Sequence, residues 1–399
     1  MDQLSGDKIS RRASELGQWI VERRRELHQC PELGYHEKET AGYVAGQLRE
    51  LGVEVTEGIA GTGVVGLLRG REPGPTVALR ADMDALPVDE ANDTPYRSRH
   101  EGRMHACGHD GHMATVLGAA RLLTERQDSL PGNVRFLFQP AEECPPQGGA
   151  KDMIAEGVLR DPPVAAVFGL HIWPDLPVGK VGLTKGPIMA AADSFELRIR
   201  GEGGHGAAPH QAIDALVVTA HAVLALQSVV SRKIDPLEPA VVSVGTCHGG
   251  TAFNIIADEM VLEGTTRYLN PAVGRLLEEE MRRIVKNVGE AHAADCDLSY
   301  QFGFPPTIND PKMTELVAEA AAAVLGDDGV SWISAPSMTG EDFSYFLQEV
   351  PGCYFWLGTR NPGKGIVHPL HSSRFQIDED VLSLGAAVLA NTALTVLKT

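Results

Sequence analysis

At 399 residues the chain exceeds the length at which a single hydrophobic core usually keeps growing, so two domains are expected. Apolar residues at 43% and charged residues at 22% suit a globular fold, and 43 glycines with 25 prolines form no repeat, which excludes collagen-like and mainly disordered classes. The formal charge of -18, from 53 acidic against 35 basic residues with no basic stripe, argues against a nucleic-acid partner.

Positions 1–12 are polar and lack a signal-peptide core, and no unbroken apolar run reaches the roughly 18 residues of a membrane helix. The six cysteines (Cys30, Cys107, Cys144, Cys247, Cys296, Cys353) lack the close spacing of a disulfide framework and are read as reduced thiols. A cytoplasmic protein without membrane attachment is expected.

In chain order, helical periodicity covers 15–28, where Arg23, Arg24 and Arg25 alternate with Glu22 and Glu26 as on a solvated face. A second helix covers 39–51. Strands are expected over 53–55, 63–68 and 76–79, a helix over 113–123, and strands over 133–138 and 164–170. This alternation is that of an α/β fold with a mainly parallel sheet. From about 188 the pattern becomes strand 194–200, helix 214–231, strands 240–245 and 259–268, helix 272–292 and strand 297–302, the split βαβ order of a ferredoxin-like domain. The α/β style resumes after 309. The expected division is therefore a catalytic domain over 1–187 and 304–399, with an inserted α+β domain over 188–303. The last helix, 380–397, is apolar enough to suggest membrane contact, but Ser383, Asn391 and Thr392 interrupt it and packing against the sheet is the expected role.

Ligating residues of α/β folds gather beyond the carboxyl ends of strands. Asp82 and Asp84 follow the strand 76–79, Glu142 and Glu143 follow 133–138, and His171 follows 164–170. Cys107 and His109 flank Gly108, whose freedom allows a thiolate and an imidazole to face one small volume. A buried cysteine beside a helix-capping histidine gives the same pattern. Of the adjacent Glu142 and Glu143, on an extended segment, one can bind metal while the other holds a proton; a solvated acidic loop is the alternative. His171 also suits a hydrogen-bonded core histidine, and in V-H-P-L-H-S-S either His368 or His371 could serve.

These residues lie in a longer series of motifs: R-R-E-L-H-Q-C-P-E-L-G over 24–34, R-A-D-M-D-A-L-P over 80–87, H-A-C-G-H-D-G-H over 105–112 and Q-P-A-E-E over 139–143. The series continues with G-L-H over 169–171, G-G-H-G-A-A-P-H over 203–210, G-G-T-A-F-N over 249–254, G-E-D-F-S-Y-F over 340–346 and L-H-S over 370–372. Together they resemble the M20 metallopeptidases, in particular the amidohydrolase branch with hippurate, auxin-conjugate and other N-acyl-amino-acid hydrolases. The resemblance implies a zinc-exopeptidase-like catalytic domain with an inserted satellite domain for dimerisation. It implies two divalent metal ions, zinc or manganese, held by Cys107, His109, Glu143, His171 and His371, with Glu142 as general base and Asp84 orienting a ligand. It further implies that His205 completes oxyanion stabilisation, reaching a partner subunit's active site in a homodimer or higher homo-oligomer, and that Asn254 and Arg267 bind substrate. Without that resemblance the segment around His205 reads as a flexible loop, and Arg267 as an exposed strand arginine.

The sequence departs from its relatives at Cys30, where histidine is common, at Ala257, where proline is common, and in E-C-P-P-Q-G-G, where a glycine run is usual. The expected reaction is hydrolysis of a small-molecule N-acyl-amino acid to a carboxylic acid and a free amino acid. Its rivals are a dipeptidase or carboxypeptidase with the same chemistry, and a non-catalytic metal-containing binding protein.

Overall fold

The computed structural model describes residues 3–398. It separates into one unit of Met1–Ile188, Ile308–Pro336 and Asp342–Thr399, and a second of Met189–Thr307 with Ser337–Glu341. Against the expected limits of 188 and 303, the second unit also takes in the short segment Ser337–Glu341.

The first unit is built on an eight-stranded sheet. Its spatial order is Glu54–Ile59, Gly63–Arg69, Pro131–Gln139, Glu72–Asp82, Val164–Pro177, Gly352–Arg360, Val181–Leu183 and Val330–Trp332. The four central strands, from Pro131–Gln139 to Gly352–Arg360, run parallel. They read as continuous apolar runs because both faces are covered: Val77, Ala78, Leu79, Phe136, Leu137 and Phe138 are all fully buried. Antiparallel pairs with Gly63–Arg69 and Val181–Leu183 flank that centre.

The closing helix Asp380–Leu397 packs on the helices His109–Thr124 and Pro311–Leu325. Asp310 starts the latter by accepting the Met313 N–H, with Pro311 at its first position. Among the described residues, two helices are long and apolar enough to cross a membrane, Asp380–Leu397, whose apolar character the sequence shows, and Ala215–Lys233. Small residues such as Ala386, Ala387 and Ala390 raise their average without an unbroken run of large ones. Of the apolar window of Asp380–Leu397, 78% is buried inside the protein, as expected for a core helix, against 33% for Ala215–Lys233.

Two local expectations change. The polar start forms a helix, Gln3–Glu15, which anchors through Ile9 and Ala13 in the core, and a second helix, Gly17–Gln29, follows it. Arg24 is not on a solvated face: it is buried, with its Nε 2.7 Å from Asp110 Oδ2. Local charge alternation could not reveal a partner 86 residues away.

The second unit has the strand order Ala240–Gly249, Glu259–Tyr268, Ala192–Arg200, Asp295–Phe304, all antiparallel. Its elements follow β, α, β, β, α, β in the chain, with helices Ala215–Lys233 and Pro271–His292. Asp214 caps the first helix through the Leu216 and Val217 amides, and Asn270 caps the second through Ala272. Alternate residues of Ala192–Arg200 are buried, among them Phe195, Leu197 and Ile199, which join Leu226, Leu277 and Met281 in a separate core.

Candidate metal centre

The parallel strands bring distant chain segments to one end of the sheet. Asp82 is the last residue of Glu72–Asp82, and Gln139 ends Pro131–Gln139 just before Glu142 and Glu143. His171 lies inside Val164–Pro177 rather than after its end. The reason is asymmetric pairing: the ladder with Glu72–Asp82 stops at Gly169, whereas that with Gly352–Arg360 continues through His171 to Trp173. Glu142 and Glu143 occupy a turn, not an extended segment, because Ala141 before them has φ 55°. Gly108, with φ 89°, takes the left-handed conformation at the start of His109–Thr124 and so lets Cys107 and His109 flank the turn.

The expected ligands come together. Ligand atoms of Cys107, His109 and His171 lie within 4.8 Å of one another, as do those of Cys107, Glu143 and His371, and those of His109, Glu142 and Glu143. His371, rather than His368, is the histidine in these groups, with its Nε2 3.1 Å from Glu143 Oε1.

The histidines are oriented from behind. His109 Nδ1 donates to the Asp84 backbone carbonyl at 2.8 Å, and His171 Nδ1 donates to the Ile172 carbonyl at 2.7 Å. A carbonyl can only accept, so both rings present Nε2 without its proton when neutral. His171 Nε2 lies 3.4 Å from Cys107 Sγ, and the buried His109 Nε2 has no hydrogen-bond partner. Asp84 also takes the Glu143 N–H on Oδ2 at 2.9 Å, tying the glutamate turn to the His109 side.

Asp82 and His112 also approach His109, but their polar atoms are engaged. His112 Nδ1 donates to Asp82 Oδ1 at 2.6 Å while its Nε2 accepts the Ile172 N–H at 2.9 Å. Asp82 Oδ2 takes a 2.7 Å bond from Arg80, which also binds Gln139 and Asp342 at 2.9 Å each. These buried residues support the ligands. Sequence reasoning offered Asp82 as a coordinating group beyond its strand and gave Arg80 and His112 no role, although Arg80 and Asp82 share a strand face and His112 follows His109 by one helical turn.

The charge balance fits a cation. Burial, with Glu143 and Glu142 nearby, pushes the Cys107 thiol well above its usual range. Burial opposes a charge on His109, yet Asp82 and the Asp84 carboxylate, whose Oδ1 lies 3.3 Å from its Nδ1, outweigh it and hold its pKa up at about 10. Burial and the neighbouring His112 push His171 well below its usual value. Burial disfavours a charged Glu143, but His371 and His109 prevail and lower its pKa. A thiol among carboxylates beside a buried imidazole nitrogen without a partner is a donor set that divalent metal would satisfy, and the mixture of sulfur, nitrogen and oxygen suits zinc.

The remaining expected site residues are in the second unit. His205 and Asn254 line one cleft of about 420 Å³, where the short strands Gly204–His205 and Ile255–Ile256 pair. The Ala207 N–H donates to His205 Nδ1 at 3.0 Å, so the neutral ring carries its proton on Nε2. Arg267 is on Glu259–Tyr268 and is partly buried.

Residues 78–395 match the profile of peptidase family M20/M25/M40. A thermostable carboxypeptidase 2 of Saccharolobus solfataricus is 45% identical over 97% of this chain and 98% of its own. An N-acetyl-L-cysteine deacetylase of Bacillus subtilis is 40% identical over 95% of this chain and 88% of its own. Among solved structures, a dinuclear metal-binding peptidase of the M20 family from Bacillus subtilis superposes with a TM-score of 0.85 at 34% identity, covering 97% of this chain and 99% of that one. With a fold, a buried donor cluster and near full-length similarity in agreement, the chain belongs to peptidase family M20/M25/M40.

Proposed function

We propose that the protein hydrolyses the amide bond of N-acyl-amino acids, using two divalent metal ions held by Cys107, His109, Glu143, His171 and His371. The observation that carries this reading is the linked cluster of those five ligand atoms with Glu142. The dinuclear metal-binding neighbour supports two ions, and the deacetylase relative supports an acylated amino acid as substrate. When bound, such metals polarise a carbonyl and lower the pKa of water.

Glu142 takes the proton from the attacking water and returns it to the leaving amine. A protein that only stored metal would not need this second carboxylate beside Glu143. His205, with Nε2–H as donor, would complete the stabilisation of the oxyanion, from a partner subunit in a dimer. Arg267 donates to the Thr265 hydroxyl and to the Thr266 carbonyl, and the Asp193 carboxylate acts on it through its charge. Burial lowers its pKa. A free α-carboxylate on the substrate would give its guanidinium a bidentate acceptor, with Asn254 beside the same substrate.

The carboxypeptidase relative favours a second reading, cleavage of a C-terminal residue from a peptide. Both substrates present an α-carboxylate, so Arg267 serves either.

A homodimer would form through the second unit. Leu216, Val217 and Leu224 form an exposed apolar stripe on Ala215–Lys233, and Ala240–Gly249 is one of the two edge strands of its sheet. The cytoplasm suits a Cys107 thiol that must stay reduced to bind metal. The test is to follow amine release from N-acetyl, N-benzoyl and indoleacetyl amino acids and from dipeptides, with metal-loaded and chelated protein. Metal-dependent cleavage of the acylated compounds supports the proposal; cleavage of peptides alone moves it to the second reading, and no cleavage leaves a binding protein.

A further inference from the structure

Glu142 stands between two backbone amides, and each is held by a buried carboxylate. On one side the Glu143 N–H donates to Asp84 Oδ2 at 2.9 Å. On the other the Ala141 N–H donates to Glu37 Oε1 at 2.8 Å, across 104 residues. Glu37 comes from the segment just before Lys38–Glu50 and is fully buried. Its second oxygen, Oε2, accepts the Thr62 hydroxyl at 2.6 Å.

The peptide that Glu37 grips is an unusual one. Ala141 is fully buried at φ 55°, a conformation that residues other than glycine rarely adopt and that persists only where the surroundings hold it. Those surroundings are tight. A side chain at Gly34 would come within 3.2 Å of Ala141 Cα, and one at Gly149 would run into the Pro140 carbonyl. A carboxylate is costly to bury, and this one is held by the Thr62 hydroxyl and by the backbone amides of Ala141 and of Glu37 itself. Burial raises the Glu37 pKa, although the bond from Thr62 opposes that shift.

We infer that Glu37 is a positioning residue for Glu142: it holds the left-handed Ala141 turn, Thr62 holds Glu37, and together with Asp84 they fix the base relative to the metal ligands. This rests on the reading of Glu142 as general base. Catalytic geometry is steep in position, so a displacement of about 1 Å can cost roughly 100-fold in rate. Substrate and metal contacts are not touched by Glu37, so the loss should fall on kcat and leave KM and metal content in place.

The experiment compares Glu37→Ala, Glu37→Gln, Thr62→Val, Thr62→Ser and Glu142→Gln in the metal-loaded protein. It measures kcat, KM, bound metal, thermal melting and hydrogen–deuterium exchange of the peptide containing Ala141. Glu37→Gln keeps both bonds, its carbonyl accepting from Ala141 and its amide donating to the Thr62 hydroxyl, and should retain most of kcat. Glu37→Ala should lower kcat about 100-fold and Thr62→Val about 10-fold, with faster exchange at Ala141, while Thr62→Ser restores both. Thr62→Val conserves shape and decides the matter if Glu37→Ala fails to fold. Wild-type kcat in Thr62→Val or Glu37→Ala, alongside an inactive Glu142→Gln, would overturn the inference alone; a fully active Glu142→Gln would overturn the base assignment and the inference with it.

Discussion

Cys107 Sγ lies 3.4 Å from His171 Nε2, although the two residues are 64 positions apart and neither has a sequence neighbour that demands the contact. The thiol is buried among carboxylates, which favours its protonated form until a cation arrives. Cys107→Ser should therefore weaken metal binding at least about 10-fold, read by chelator competition and by metal content after dialysis. Unchanged metal content would remove Cys107 from the ligand set.

Arg80 is the fixed point behind the site. Its guanidinium is fully buried and bound to Asp82 at 2.7 Å and Asp342 at 2.9 Å. Removing one partner of a buried pair leaves uncompensated charge, so Arg80→Met should cost about 3–5 kcal/mol in urea unfolding. A change below about 1 kcal/mol would show that the network relaxes without it.

A pH effect on stability should arise away from the metal ligands' own atoms. His28 Nδ1 lies 2.8 Å from Asp110 Oδ2, and its Nε2 lies 3.2 Å from Glu90 Oε1. Burial and Arg24 lower its pKa, but Asp110 and Glu90 outweigh them and the net shift is upward. The folded state then holds the proton more tightly than the unfolded state. The stabilisation is complete below the unfolded value of about 6.5 and is lost as pH rises through the raised folded value. The stability lost in His28→Gln should thus be larger at about pH 5.5 than well above the raised folded value, measured by denaturant unfolding. A loss independent of pH would contradict a charged His28.

The stripe on Ala215–Lys233 gives a test of assembly. Leu224 is 73% exposed, so its replacement disturbs little within one chain. Leu224→Asp with Val217→Asp should convert a two-chain particle to a single chain in light scattering, with melting temperature changed only through the lost association. A particle of unchanged mass would place any interface elsewhere.

Short motifs made much of this protein legible before its structure. Cys107-Gly108-His109 and Glu142-Glu143 carry their chemistry in consecutive residues, and the alternation of apolar runs with helical periods indicated where strand ends would meet. What could not be read depends on partners far along the chain. The role of Glu37 needs Ala141, and the burial of Arg24 needs Asp110. His171 was placed past a strand end because only the ladder with Gly352–Arg360 extends that strand. The helix Gln3–Glu15 escaped because the stretch is polar on average, while its contact with the core rests on single apolar residues such as Ile9 and Ala13.

The central claim is that Glu142 moves the proton while Glu143 and its partners hold metal. Glu142→Gln keeps the shape of the side chain and removes its basicity. The direct measurement is turnover of an N-acyl-amino acid by this variant, with bound metal counted in the same sample. The account expects both metals retained and kcat lowered by at least about 100-fold; wild-type turnover with full metal content would contradict it.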